Sequence, residues 1–268
     1  MSEPELLLLF LAVGFSAGIL IGMLGVGGGV IFIPVLYYLL PLYGIETSSV
    51  PYFAISISLL SGAVAASFSA AFHLYEKNVD KNKALLFSFG SCTAAFLSVI
   101  YVTSVGPELL KIIFAIVLFI VAVYMLLEIR MQKAQVRLKE ANKYYLPGIG
   151  LSVGVLAAFT GLGGGIIFLP VLHYLYGLDT KKAVGTSSLI TALTMIFASL
   201  SFFVHKDNWT GNYNLIHLAV FIALPLGIGA IVGARFGFNL VKKLHSRSIK
   251  KIFAILLIIV VIKIIFSL

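Results

Sequence analysis

Residues 160–174 read TGLGGGIIFLPVLHY, and residues 24–38 read LGVGGGVIFIPVLYY. The two stretches align without a gap and are identical at ten positions, which include three consecutive glycines and a proline. Each stretch places a glycine cluster inside an apolar region and follows it with a short apolar run. A break of this kind, present twice in one chain, predicts two related halves that each contain an interrupted helix.

The composition places the chain in a lipid bilayer. Hydrophobic residues make up 60% of the 268 residues and charged residues only 11%, whereas soluble domains hold about 25% charged residues. The formal net charge of +9 comes from basic residues in the connectors between apolar runs, a pattern that indicates membrane orientation and not nucleic-acid binding. Because Cys92 is the single cysteine, an internal disulfide is excluded, and no Cys/His spacing predicts a metal or another cofactor.

Ten apolar segments, five in each half, predict an all-α integral membrane protein. Most of them hold about 20 residues, the length that spans a hydrocarbon core of about 30 Å. The amino terminus carries Glu3 and Glu5 and no basic residue before the first segment, so we expect a retained span and not a secretory signal. The segments are 6–24, 30–42, 50–72, 84–103, 109–127, 145–160, 166–176, 183–204, 213–241 and 249–266.

The two segments that follow the glycine clusters, 30–42 and 166–176, are too short to cross a bilayer as helices. We therefore predict two broken or re-entrant helical hairpins with their glycine turns at the membrane midplane. Backbone breaks are tolerated at that depth only inside protein or beside a wet cavity.

An odd number of segments per half predicts that the second half is inverted relative to the first. The charges agree, since each connector rich in Lys and Arg corresponds to a connector with fewer basic residues in the other half. With the 129–144 linker in the cytoplasm, 15 of the 19 Lys and Arg residues lie inside and both termini lie outside. The predicted units of this multi-pass cell-membrane protein are a first repeat at 1–128, the basic linker at 129–144 and a second, inverted repeat at 145–268.

The glycine turns are the predicted substrate site. Glycine removes side chains and leaves the first amides of the following half-helix unpaired, and the positive helix end favours an anion there. Close helix packing through small residues is the alternative interpretation. The site glycines are Gly27, Gly28, Gly29, Gly163, Gly164 and Gly165, and Pro34 and Pro170 are assigned structural roles near the first turn of each half-helix.

The other polar residues favour an anionic or neutral substrate. All ten carboxylates fall in connectors or at segment ends, so none is available to bind a cation at depth. We expect the hydroxyls of Thr186 and Ser187 either to donate hydrogen bonds to a bound oxyanion or to form hydrogen bonds with neighbouring helices. Arg235 either guides an anion on the cytoplasmic side or extends to the lipid headgroups, and His173 and His217 either relay protons or lie at the interface. No catalytic motif is present, which predicts a protein that is not an enzyme.

The motif GLGGGIIFLPVL (161–172), followed by AVGTSSL (183–189), resembles the TauE/SafE family of membrane proteins, also described as sulfite exporters. The first half repeats the cluster as GVGGGVIFIPVL (25–36), but it reads VPYFAIS (50–56) in place of the Thr-Ser pattern. The resemblance extends over essentially the whole chain. It implies a carrier for sulfite, organosulfonates or related sulfur-containing anions, usually moved outward and without a tightly held cofactor.

We therefore expect a secondary transporter of small sulfur-containing anions that works by alternating access. Two alternatives stay open: a passive anion channel, and a membrane scaffold or accessory subunit that transports nothing, because glycine turns also serve a pore or helix packing. The expected partners are the anionic substrate and the bilayer, with a homo-oligomer as an open possibility.

Overall fold

The computed structural model describes residues 3–24, 28–131, 142–206, 209–211, 213–241, 251, 254–255, 257–262 and 264. Within these residues the regular structure is helical throughout. Five helical stretches are long and apolar enough to cross a membrane: Val50–Tyr75, Lys81–Val102, Pro107–Tyr124, Thr180–Val204 and Leu215–Gly237. These observations confirm the predicted all-α membrane fold.

The helices of the described residues follow the predicted apolar segments closely. The last predicted segment, 249–266, lies mostly outside the described residues, as does most of the 129–144 linker. In chain order the α-helices are α1 (Glu3–Leu24), α2 (Gly29–Leu42), α3 (Val50–Tyr75), α4 (Lys81–Val102), α5 (Pro107–Met131), α6 (Leu146–Thr160), α7 (Gly165–Pro170), α8 (Thr180–Val204), α9 (Leu215–Leu218) and α10 (Leu224–Val241). The other helical stretches described are a 3-10 helix, Lys143–Tyr145 before α6, and two π-helical stretches, Val171–Leu175 after α7 and Ala219–Ala223 after α9.

Apolar side chains cover the outer faces of the bundle as well as its interior. Leu85 and Phe89 of α4 and Ile120 of α5 are each more than half exposed, at 65%, 74% and 59%. In water such surfaces would be costly, but against lipid chains they are ordinary. The outer surface therefore agrees with a bilayer environment.

Close glycine contacts join the two halves through two corresponding pairs of helices. The alignment of 24–38 with 160–174, extended back without a gap, makes α1 the counterpart of α6. The sequence IFAI occurs at both 113–116 and 252–255, and this second alignment, also extended back without a gap, makes α4 the counterpart of α10. α6 packs along α4, and α1 packs along α10. Side chains built on four glycines would meet corresponding backbone atoms of the partner helices: Gly150 the Phe87 carbonyl, Gly154 the Ser91 carbonyl, Gly14 the Leu226 carbonyl and Gly18 the Ala230 carbonyl.

Helices α3 and α8 pack against each other at the centre and run antiparallel. Ser69 Oγ lies 3.2 Å from Ser188 Oγ, while Met195, further along α8, packs against Gly62, which comes earlier in α3. In the sequence alignment of the halves, α3 corresponds to α8 and Gly62 to Met195. Two inverted halves would pack corresponding helices antiparallel, as α3 and α8 do here. The direction in which each half crosses a bilayer stays a prediction.

The α4–α6 contact gives a test of this helix pairing. We expect Gly150→Leu to lower the stability of the purified protein, because its side chain would overlap the Phe87 carbonyl, and overpacking costs about 1–3 kcal/mol. Gly148→Leu is the matched control, since a side chain at Gly148 meets nothing within 4 Å. The midpoint of thermal unfolding in detergent measures the difference, and equal midpoints for the two variants would contradict the described packing.

Candidate functional site

The second glycine turn joins α6 to α7 and is fully buried. Gly161, Gly163 and Gly164 have φ angles of +64°, +70° and +77°, a left-handed region that side chains other than glycine adopt only with strain. Residues 161–165 are all buried. The sequence needs its glycines here because the chain reverses direction inside the protein.

Gly28, in the first glycine cluster, differs from Gly164 in backbone conformation. Gly28 has a φ angle of −59°, in the right-handed helical region, and the atoms nearest to a side chain built there belong to the ring of Phe32, four residues further on. Gly27 belongs to residues 25–27, which lie outside the described residues. The two predicted turns are therefore equivalent in sequence, while Gly28 and Gly164 differ in backbone conformation.

The start of α2 meets the second glycine turn in the interior. A side chain built on Gly29, the first residue of α2, would overlap the carbonyl of Gly161 and the Cα of Leu162. One built on Gly163 would overlap Met195, which also packs against Gly62. Because Gly62 and Met195 lie near the middle of α3 and α8, the second turn sits at half the height of these long helices.

Backbone amides at the start of α7 lack hydrogen-bond partners. Ile167 N and Phe168 N donate to the Gly164 carbonyl at 2.9 Å. The amides of Gly164, Gly165 and Ile166 make no hydrogen bond with the residues that the structure describes. Unpaired amides at a helix start, together with the positive end of the helix dipole, attract an anion.

Two buried serines hold the second turn in place. Ser187 Oγ of α8 donates to the Gly165 carbonyl at 3.3 Å, so the structure brings this predicted residue to the glycine turn. Ser58 Oγ of α3 donates to the Gly161 carbonyl at 3.0 Å. Sequence reasoning did not place Ser58 in the site, although its position in the first repeat corresponds to that of the hydroxyl residue Thr191 in the second.

Thr186 lies away from the glycine turns. Its Oγ1 accepts a hydrogen bond from the backbone amide of Asp80 at 3.0 Å, and Asp80 caps the start of α4 by accepting from the amide of Lys83. Burial raises the pKa of the Asp80 carboxyl, but hydrogen bonds from Lys83 and their ion pair outweigh it and hold that pKa below its usual value. Thr186 therefore fastens the start of α8 to the α3–α4 connector.

Arg235 also lies outside the central site, because its side chain is exposed on α10. Neighbouring Gly233 and Gly237 pack against α1, at Phe15 and Ile19. The structure thus places Arg235 on the surface, where extension toward lipid headgroups is possible.

The prolines are not in the first helical turn, where they were expected. Pro34 and Pro170 are the sixth residues of α2 and α7. A proline inside a helix removes the hydrogen bond to the carbonyl four residues earlier, here that of Val30 or Ile166. After Pro170 the helix widens into the π-helical stretch Val171–Leu175, so the proline alters the helix and does not start it.

The centre of the described structure contains hydroxyls, amides and apolar side chains but no full charge. No Asp, Glu, Lys, Arg or His is among its buried residues, and no group of three potential metal ligands occurs in the same residues. An anion at the glycine turns would be held by oriented dipoles alone.

Comparison with known proteins gives a consistent assignment. The sequence model described as sulfite exporter TauE/SafE matches residues 10–264. No solved structure matches the chain significantly.

Named relatives cover nearly the whole chain. A probable membrane transporter protein of Haemophilus influenzae is 28% identical over 261 residues, which is 96% of this chain and 97% of that protein. A probable membrane transporter protein of Methanocaldococcus jannaschii is 28% identical, covering 91% of this chain and 90% of its own length. The probable membrane transporter protein YunE of Bacillus subtilis is 24% identical and covers 94% of each chain. Since the family model spans almost all residues and the helices fit a membrane, the chain belongs to the sulfite exporter TauE/SafE family of membrane transporters.

Proposed function

We propose that the chain is a secondary transporter of small sulfur-containing anions, such as sulfite or organosulfonates, and that it exports them. The observation that carries this proposal is the set of unpaired amides at Gly164, Gly165 and Ile166, of which those of Gly164 and Gly165 belong to buried residues. Backbone N–H donors at a helix start suit the oxygens of a sulfite or sulfonate group. The family description names sulfite export, which supports both the substrate class and the direction.

Charge balance supports an anion over a cation. A bare cation at this depth needs an acidic partner or a cage of carbonyls, and no acidic side chain is buried among the described residues. The carbonyls of Gly161 and Gly165 already accept hydrogen bonds from Ser58 and Ser187. The backbone amides of Gly164, Gly165 and Ile166 remain unpaired. Because amides are hydrogen-bond donors, they suit an anion and not a cation.

Alternating access is the proposed mechanism. Two repeats, 1–128 and 145–268, would exchange roles around the contact between Gly29 and Gly161, with α3 and α8 moving against each other. The support is that corresponding helices make corresponding contacts on the two sides of the α3–α8 pair. Repeats of this kind are typical of carriers that rock around a fixed central site.

A passive channel and a transport-inactive scaffold are less well supported. A channel needs a continuous opening, whereas Met195 fills the space between Gly62 and Gly163 at half height. A scaffold has no use for unpaired amides in its interior. We therefore propose a carrier that is not an enzyme and needs no cofactor.

The proposed location is the cell membrane, with the 129–144 linker in the cytoplasm and both termini outside. The support is the concentration of Lys and Arg in the linker and in the connectors on the same side. In this orientation, the end of α8 at Val204 faces the exterior.

Transport assays in liposomes test the substrate class. We expect the purified protein to move sulfite or sulfoacetate, with thiosulfate and sulfate as the comparison anions. Unlabelled substrate on the far side should accelerate uptake of labelled substrate, because a carrier returns loaded faster than empty. Flux without this acceleration would establish a channel, and no flux of any of the four anions would refute the proposal.

A glycine pair tests the site. We expect Gly164→Ala to reduce flux about tenfold or more, because its φ is +77° and its side chain would meet Phe168 and Val153, and strain of about 1–2 kcal/mol displaces the adjacent amides. Gly177→Ala is the matched control, since Gly177 also has a positive φ, +64°, but open space around it. Equal flux in the two variants, at equal expression and thermal stability, would show that the glycine turn is not part of the substrate site.

A further inference from the structure

The two halves of the chain hold the second glycine turn at different ends. At its first residue, Ser58 Oγ of α3, from the first half, donates to the Gly161 carbonyl at 3.0 Å. At its last residue, Ser187 Oγ of α8, from the second half, donates to the Gly165 carbonyl at 3.3 Å. The turn itself belongs to the second half, so the Ser58 hydrogen bond joins it to the other half of the molecule.

The Gly161 carbonyl depends on Ser58 for its hydrogen bond. It lies at the end of α6, and no backbone amide of the described residues donates to it. Ser58 is fully buried, and a side chain built on Gly29 would overlap the same carbonyl, so the first half encloses this end of the turn. Because a buried carbonyl without a donor is destabilising, the bond ties the turn to α3.

The unpaired amides lie between these two attachments or directly beside the second one. The Gly165 carbonyl and the Ile166 amide belong to one rigid peptide plane, so the Ser187 bond also sets the direction of the Ile166 N–H. Gly163 and Gly164 lie between the attachments and have no side chain that would restrict their backbone. A shift of one attachment relative to the other is therefore taken up by these glycines, and it turns the amides.

The corresponding hydroxyls of α3 and α8 are used unequally. Thr191 of α8 is the counterpart of Ser58 in the alignment of the halves. It is also buried, but its Oγ1 has no hydrogen-bond partner among the described residues. Since buried polar groups in proteins are nearly always paired, one bonded and one unpaired hydroxyl at equivalent positions favour a bond that belongs to one conformation and not to the fold as such.

We propose that Ser58 is a positioning residue that couples the anion site to the movement of α3 against α8. Its bond to the Gly161 carbonyl holds the amides of residues 164–166 in the arrangement that binds an anion, and displacement of α3 along α8 breaks this bond. The proposal rests on the proposed function for the ligand and for the movement. The link between the two halves rests on the contact between Ser58 and Gly161 alone.

Cross-linking of α3 to α8 measures the described arrangement. Ser69 of α3 and Ser188 of α8 are partly buried, and their hydroxyl oxygens lie 3.2 Å apart. In a Cys92→Ala background, the double variant Ser69→Cys, Ser188→Cys should therefore form a disulfide on mild oxidation. The rate of disulfide formation in the purified protein reports how often the two helices occupy this arrangement.

A first comparison needs no ligand. In the cross-linking background, Ser58→Ala should slow disulfide formation about fivefold, because the bond that ties α3 to the turn is lost. Ser61→Ala is the matched control: Ser61 is equally buried on α3, but its hydroxyl donates within the helix, to the Ile57 carbonyl at 2.7 Å. Equal rates in the two variants would overturn the link.

Sulfoacetate tests the coupling to the site, and unlike sulfite it does not cleave disulfides. With Ser61→Ala, saturating sulfoacetate should accelerate cross-linking about fivefold, because the ligand favours the conformation in which Ser58 holds the turn. With Ser58→Ala we expect no acceleration. A loss of packing alone would change the rate without ligand but not its response to ligand, so this response identifies a positioning role.

The possible failures are distinguishable. Equal acceleration in the two variants, or no acceleration in either while sulfoacetate is transported, would overturn the coupling and leave the proposed function intact. If the unmodified protein moves none of the four anions, the proposed function fails and the coupling fails with it. A slower reaction of Ser58→Ala without ligand would still support the link between the two halves in that case.

Discussion

The contact between Gly29 and the backbone of Gly161 and Leu162 is the constraint on which the rest of the arrangement depends. A chain reversal inside a membrane protein, such as the one between α6 and α7, leaves backbone groups without helical partners, and lipid offers none. Packing the start of α2 against this reversal encloses those groups in protein. Only glycine allows this approach, since a side chain on Gly29 would occupy the space of the opposite backbone. The enclosure also makes a ligand site possible, because the groups it protects are amides that still lack acceptors.

A site of neutral donors has a consequence for transport. A buried Lys or Arg would bind an anion strongly and release it slowly, whereas amide and hydroxyl dipoles give weaker attraction that falls off quickly with distance. A carrier must release its substrate on the far side in each cycle, so moderate binding favours turnover. The glycine turn between α6 and α7 has this neutral character.

The sequence predicted the helical membrane fold and the glycine turn between α6 and α7, because these depend on local composition and spacing. It did not predict which polar residues reach the centre. Thr186 and Ser187 are neighbours in sequence, but on a helix they point about 100° apart, and only Ser187 faces the turn. Met195 carries no sequence signal of its own. Its position between Gly62 and Gly163 follows from the antiparallel packing of α3 and α8, which places Met195 opposite Gly62.

The two ends of the α3–α8 pair are closed by unlike chemistry at corresponding positions. Phe53 near the start of α3 packs against Trp209 and Tyr213 at 5.0 and 5.3 Å, and its counterpart Thr186 near the start of α8 accepts from the amide of Asp80. An aromatic contact and a hydrogen bond each contribute about 0.5–1.5 kcal/mol. The contacts of Phe53 at one end and the hydrogen bond of Thr186 at the other therefore contribute free energies of similar size. A ligand can shift a conformational equilibrium only by its difference in affinity for the two states, so contacts of similar, modest strength at the two ends are compatible with the alternating access proposed above.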